Sequence, residues 1–332
     1  MATCIGILGI GVQVSDPALL SEKIRAALVP RRLGAWPTPL EPAPTLARAL
    51  GVTTLDVKRE DRAAAPGGGN KVRGLEFLLA GVPRGTVLVT AGGTGSTHCL
   101  CTAVHAAALG HQTVLAQFWQ PDTVASRAVA AACARRAALI IRARGPATLP
   151  LAVLRAWRRA AALGARRWIP GGGAHPRAVA GHVLAGLELA TQTPEPPDAI
   201  VLPLGTGGTA AGVALAMAAL GWPTRVVAVR VAPAIVANRW RTTWLAHAAR
   251  RLFARHGIPI PHPASRIPLV LVDGVGAGYG HPSPAGEAAR RLAAEHGLTL
   301  DPTYGAKALA LLMERGTGNV QRVVFWHTFA VP

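Results

Sequence analysis

Hydrophobic positions along this chain change their period repeatedly. Short apolar runs rich in Val, Ile and Leu alternate with Ala-rich stretches whose apolar residues recur every three or four positions. The first kind predicts strands over 53–58, 86–90, 112–118, 138–142, 199–204, 225–231, 269–272 and 322–326. The second predicts helices over 17–32, from Lys71 to Leu79, and near 97–109, 121–135, 147–163, 176–190, 209–220, 233–255, 284–296 and 305–314. Pro37 and Pro39 exclude helix between Trp36 and Leu40. Near-continuous apolar strands separated by helices indicate an α/β fold with parallel sheets covered on both faces. No internal repeat is visible. The length, 332 residues, suits two lobes or domains, and Pro194-Glu195-Pro196-Pro197 is a polar connector between them.

Glycine clusters interrupt the pattern at 67–69, 92–95, 171–173 and 205–208, each after a strand or at a helix start. In open α/β sheets such loops lie at the carboxyl ends of strands, where ligands bind. Leu204-Gly205-Thr206-Gly207-Gly208-Thr209 joins a strand to a helix. Amides at the helix start, its dipole and two hydroxyls make a seat for an anion such as a phosphate. No Lys follows Gly208, no GxGxxG is present and no acid lies about twenty residues on, which argues for one phosphate rather than a dinucleotide. A plain tight turn is the alternative. Val89-Thr90-Ala91-Gly92-Gly93-Thr94-Gly95-Ser96-Thr97-His98 repeats the form. Its amides and hydroxyls could hold a carboxylate, with Ser96 as an acid, base or nucleophile, or as a simple helix cap.

Pro66-Gly67-Gly68-Gly69-Asn70-Lys71 sets a lysine at a helix start behind three glycines. Only four lysines occur among the 35 basic residues: Lys23, Lys58, Lys71 and Lys307. Lysine-specific chemistry therefore has few candidates, and Lys71 is the one in a loop built for it. Lys58 reads as a strand-end charge. A reactive lysine and a seat for one phosphate together point to pyridoxal 5′-phosphate.

Composition changes this picture little. The formal charge is +19, but the arginines are scattered, and two Tyr and five Phe give few stacking platforms. Attraction to an anionic substrate or cofactor accounts for the charge as well as nucleic acid does, and no nucleic-acid partner is expected. Cys4, Cys99, Cys101 and Cys133 form no disulfide framework, and His98-Cys99-x-Cys101 has no second cluster to complete a metal site. No apolar run reaches the ~18 residues that span a bilayer. The run Ile5–Val14 lacks a basic flank, so no signal peptide and a cytoplasmic location are expected.

The segment Lys58-Arg59-Glu60-Asp61…Gly68-Gly69-Asn70-Lys71-Val72-Arg73-Gly74-Leu75-Glu76-Phe77-Leu78-Leu79 resembles the lysine segment of the 1-aminocyclopropane-1-carboxylate deaminase / D-cysteine desulfhydrase family. These are fold-type II pyridoxal phosphate enzymes of the tryptophan synthase β superfamily. Ordered similarities follow at Gly93–His98, Ile169–Gly173, Gly181–Leu189, Gly205–Thr209, Gly278–Gly280, Leu300–Ala308 and His327-Thr328. The resemblance implies a large domain from 1–72 and 186–332, a small domain from 73–185, and the cofactor in the cleft between them.

It also implies roles. Lys71 would carry the cofactor and shuttle the α-proton, and Asn70 would hydrogen-bond the cofactor's phenolic oxygen. Gly205, Thr206, Gly207, Gly208 and Thr209 would hold the phosphate. Ser96 would contact the substrate carboxylate, with Thr97 and His98 nearby. Tyr279 and Tyr304, the only tyrosines, would face the substrate. Three departures stand out: Gly95-Ser96-Thr97 replaces the family's Gln-Ser-Asn, Gly305 replaces a Glu or Thr, and Phe329-Ala330 replaces two glycines. The loss of a side chain at 305 weighs against ring-opening deamination. The expected activity is α,β-elimination on a small amino acid, D-cysteine first, by a homodimer. A deaminase or β-replacement synthase, and a silent cofactor-binding homologue, are the alternatives.

Overall fold

The computed structural model describes residues 16–64, 68–260, 267–315 and 321–330. The run Ile5–Val14, Cys4, and Pro66 and Gly67 of the lysine loop lie outside them. The chain opens with α1 (Pro17–Leu28), β1 (Leu40–Pro42), α2 (Pro44–Ala49), β2 (Thr54–Arg59) and α3 (Lys71–Leu78). Next come β3 (Val87–Gly93), α4 (Thr97–Ala108), β4 (Gln112–Phe118), α5 (Val124–Ala134), β5 (Leu139–Ala143), α6 (Leu149–Ala161), β6 (Arg166–Trp168) and α7 (Pro176–Gln192). The remainder is β7 (Ala199–Leu204), α8 (Gly208–Ala219), β8 (Arg225–Arg230), α9 (Arg239–Arg255), β9 (Leu269–Asp273), α10 (Pro284–Glu295), α11 (Gly305–Arg315) and β10 (Arg322–His327).

The strands form two sheets among the described residues. One runs β1-β2-β10-β7-β8-β9 and the other β5-β4-β3-β6. Every pairing is parallel except β1 with β2 at an edge. This is the α/β arrangement the alternating pattern implies, with β7 buried along its whole length. Two strands escaped the pattern. β1 ends on a proline, which suits only an edge, and β6 is exposed throughout, so nothing in its sequence alternates.

Several helix ends differ from the expectation for local reasons. α1 stops at Leu28 because Val29 turns left-handed, at φ 40°, ahead of Pro30. α9 starts at Arg239 rather than near 233, where the Asn238 side chain accepts the Arg241 N–H at 2.8 Å. The 92–95 cluster is only partly a turn, since β3 continues through Gly92 and Gly93 against Gln117 and Phe118 of β4.

α8 is buried on all sides, consistent with its unbroken run of small and apolar residues. It crosses α7 very closely. A Cβ on Gly186 would stand 2.5 Å from the Ala216 Cβ, and one on Gly212 would stand 2.4 Å from the His182 Cβ. This close pair joins Leu187, Leu202, Leu215 and Phe253 in the main core, where each large apolar side chain contributes about 1.5–3 kcal/mol. Its effect is to fix the start of α8 relative to the start of α3.

Candidate active site

Lys71 is the first residue of α3. The preceding turn is docked on the end of β10: the Asn70 N–H donates to Thr328 O at 2.9 Å. Gly69 has φ +106°, and a Cβ there would come 2.8 Å from that same carbonyl. A side chain at 69 would lift the lysine off its strand.

A buried charge cluster braces the helix behind it. Arg73 donates to Glu60 at 2.6 and 2.7 Å and to Glu188 at 2.8 Å, and stacks 3.9 Å from the Trp36 ring. Lys58 is not a strand-end charge. It is fully buried, donating to Thr38 O, Glu188 and Gln192. Burial raises the Glu188 carboxyl, but Arg73 and Lys58 outweigh it and hold the group below its ordinary range. Removing one member would strand a buried charge, at about 3–5 kcal/mol. Sequence pattern cannot see this cluster, because its members lie up to 130 residues apart.

Burial is the main cause that lowers the Lys71 amine from its usual value to about 8. An appreciable fraction is then neutral, and nucleophilic, near neutral pH. The lysine opens on a small pocket that also touches Asn70, Thr97, Leu204 to Ala210, Tyr304, Thr328 and Phe329. The whole 205–209 loop and Lys71 are thus brought together.

The loop is prepared for an anion. Gly207, left-handed at φ +94°, caps α8 without a side chain, so the amides of Gly208, Thr209 and Ala210 have no partner within their helix. The Thr209 hydroxyl accepts from Asn70 Nδ2 at 2.7 Å, which leaves its own proton to donate. Thr206 donates to Gly172 O at 3.3 Å, tying in the 171–173 glycines.

The second loop is organised differently. Ser96 caps α4, its Oγ accepting the Cys99 N–H at 3.3 Å. Thr97 lines the pocket beside Lys71. His98 turns inward, with Nε2 2.9 Å from Thr90 Oγ1. Burial, with Lys71 adding to it, holds its imidazole neutral down to a pKa of about 3. Cys99 and Cys101 are buried, and burial pushes their thiols up to about 11 and about 12.

Tyr279 and Tyr304 meet through their hydroxyls at 2.7 Å. Burial pushes Tyr279 up to about 12 and Tyr304 well above its ordinary value, so both keep their protons at neutral pH. Only Tyr304 reaches the pocket itself, beside Gly205. Gly305 faces away toward Asp301, whose carboxylate accepts the Tyr304 and Gly305 amides at 2.7 and 2.9 Å. Just beyond the end of β10 the pocket is bordered by Thr328 and Phe329, and Thr328 is the one that carries a hydroxyl. Sequence reasoning gave it no role, although its place just beyond a buried strand was a signal.

A lysine amine that burial lowers to about 8, and uncapped helix-start amides lining the same pocket, fit pyridoxal phosphate. Comparisons with known proteins agree. Residues 31–328 match the family described as pyridoxal-phosphate dependent enzyme. The nocardicin C-9′ epimerase of Nocardia uniformis subsp. tsuyamanensis is 36% identical over 314 residues, covering 89% of this chain and 93% of that protein. A D-cysteine desulfhydrase of Salmonella schwarzengrund is 32% identical over 310 residues, covering 89% and 92%. The crystal structure of an ACC deaminase homologue superposes with a TM-score of 0.78 at 27% identity, covering 92% of this chain and 94% of that one. The chain belongs to the pyridoxal-phosphate-dependent enzyme family, within its D-cysteine desulfhydrase and ACC deaminase group.

Proposed function

We propose that this enzyme is a lyase removing the α-proton and then the β-substituent of a small amino acid, D-cysteine or a close relative, and that water then hydrolyses the released enamine to a 2-oxo acid and ammonia. The observation that carries this reading is the Lys71 amine, lowered to about 8 in a pocket shared with the 205–209 loop. The loop amides and the Thr206 and Thr209 hydroxyls would hold the phosphate, and the Thr328 hydroxyl would serve the pyridine ring. When bound, the cofactor supplies a sink for the electron pair left at Cα. Lys71 Nζ, once free and neutral, takes the α-proton, and its return to the ammonium form stores that proton for a later step. The C–S electron pair leaves with the β-thiolate. The Tyr304 hydroxyl, protonated at neutral pH and bordering the pocket, would steady the departing thiolate by a hydrogen bond without giving up its proton. A neutral hydroxyl rather than a carboxylate at the ring supports elimination of a good leaving group over ring opening, because the former asks less of the ring.

A second reading, epimerisation at Cα, is favoured by the 36% identical epimerase and by a protonated tyrosine in the same pocket as Lys71. It returns the proton instead of expelling a group. One panel separates the two. D- and L-amino acids, with and without a β-leaving group, are incubated in deuterated water, and 2-oxo acid, ammonia, α-deuterium and enantiomer ratio are followed. Oxo-acid release from β-substituted substrates is the expected result. Deuterium uptake with inversion and no oxo acid would replace elimination by epimerisation. No exchange with any amino acid would sink both.

A further inference from the structure

A cavity of about 380 Å³ shares no residue with the Lys71 pocket. It sits where α3 and α4 end: Leu79 follows the last residue of α3, Ala108 closes α4, and both border it. Those helices begin at Lys71 and Thr97, so the cavity and the active-site pocket lie at opposite ends of the same pair. Its apolar lining, Leu79, Val82 and Leu109, belongs to the core packed between the two helices.

The polar lining is basic. Arg31, Arg84 and His111 border the cavity, and no acid does. Among the described residues neither guanidinium has an ion pair or a hydrogen bond. The helix ends do not use them, since the carbonyls of Leu79, Ala106, Ala107 and Gly110 accept from the amides of Val82, His111, Gly110 and Gly85. Arg84 is nonetheless folded back on the turn after α4, where a Cβ on Gly110 would stand 2.9 Å from its Nε. His111 is buried, and its Nδ1 has no partner among the described residues, which calls for an explanation. Two unpaired guanidinium forks match an oxyanion. The volume exceeds that of a bare ion, a water taking about 30 Å³, and apolar walls suit an apolar body. We propose that this cavity is a second ligand site, which takes a small organic oxyanion, a carboxylate or phosphate ester on an apolar body, at Arg31 and Arg84. A ligand seated there touches the far ends of both helices that start at the active site. The site stands independently of the amino-acid reading above.

The test is calorimetric titration of the cofactor-loaded enzyme with phenylacetate, phenyl phosphate and the neutral phenylacetamide. Arg31→Gln and Arg84→Gln each remove one fork from an exposed position, and Arg251→Gln, exposed on α9, controls for the loss of net charge. Saturable binding of phenylacetate or phenyl phosphate is expected, and the tighter of the two identifies the oxyanion as carboxylate or phosphate. Each cavity variant should weaken that binding by about tenfold or more, and Arg251→Gln by less than about twofold. Phenylacetamide should bind at least about tenfold more weakly than the tighter anion. The visible absorbance of the cofactor should be the same in all three variants, which separates this site from the Lys71 pocket. Saturable binding of neither anion overturns the proposal. So does binding that the cavity variants weaken no more than Arg251→Gln, or that phenylacetamide equals.

Discussion

The loops at 92–98 and 203–209 look alike in sequence, each a strand, a glycine turn with hydroxyls, and a helix, yet they present different chemistry. At the start of α8 the cap is a left-handed glycine, so the first-turn amides stay open and face the pocket. At the start of α4 the cap is Ser96, which spends its oxygen on the helix. One helix terminus keeps its first-turn amides free of any side-chain cap, and the other has its Cys99 amide capped by Ser96. The identity of a single capping residue decides which, because a helix start offers the same unpaired amides until something occupies them. Lys71 lines one pocket together with Thr97 of the first loop and the whole 205–209 loop.

That division can be broken most severely at the lysine. Lys71→Ala should abolish the visible absorbance of the lysine-bound cofactor and lower turnover at least ~1,000-fold. A surviving lysine-type spectrum would remove the lysine from the site. Acid should sharpen the contrast next. The amine is lowered to about 8, so its neutral fraction is full above that pH and falls tenfold per unit below it. With half of the amine neutral at pH 8, the rate of pyridoxal phosphate capture by cofactor-free protein should therefore drop about 50-fold from pH 8 to pH 6. Binding of inorganic phosphate to the 205–209 amides, which do not titrate, should change far less. An equal loss of both would place the titrating group in the phosphate seat.

Smaller effects test each loop by itself. Gly207→Ala forces a side chain into a left-handed position and against Thr242 Oγ1, 2.8 Å from the new Cβ. About 1–3 kcal/mol of strain should appear as weaker cofactor binding by roughly 5- to 150-fold in equilibrium dialysis. Ser96→Ala removes a cap worth about 1 kcal/mol, read as a lower melting temperature. Ser96→Asn should restore that stability. If activity returns with it, capping is the whole role of Ser96; if activity stays lost, its hydroxyl also touches substrate.

Much of this was legible in the chain. The alternation of strand and helix patterns gives parallel sheets, and glycine followed by Asn70-Lys71 gives a lysine at a helix start. Both follow from local rules: side-chain period, and the backbone freedom of glycine. β1 and β6 were not legible because a proline-ended edge strand and a fully exposed strand carry no hydrophobic period.

The site divides the same way. Lys71, Thr97, Tyr304 and the 205–209 loop announce themselves by residue type and place, and the fold gathers them in one pocket. Other roles were settled only by neighbours distant in the chain. His98 is turned toward Thr90 and kept neutral by burial, and Lys58 is drawn into a buried cluster with Glu188. Gly305 is aimed at Asp301, and Thr328 borders the pocket. Sequence by itself determined which chemical groups this protein owns and which secondary structure carries them, since both are properties of a residue and its near neighbours. Tertiary structure decided which groups are buried, paired or left open, because burial and pairing depend on segments that the chain brings together only when it folds.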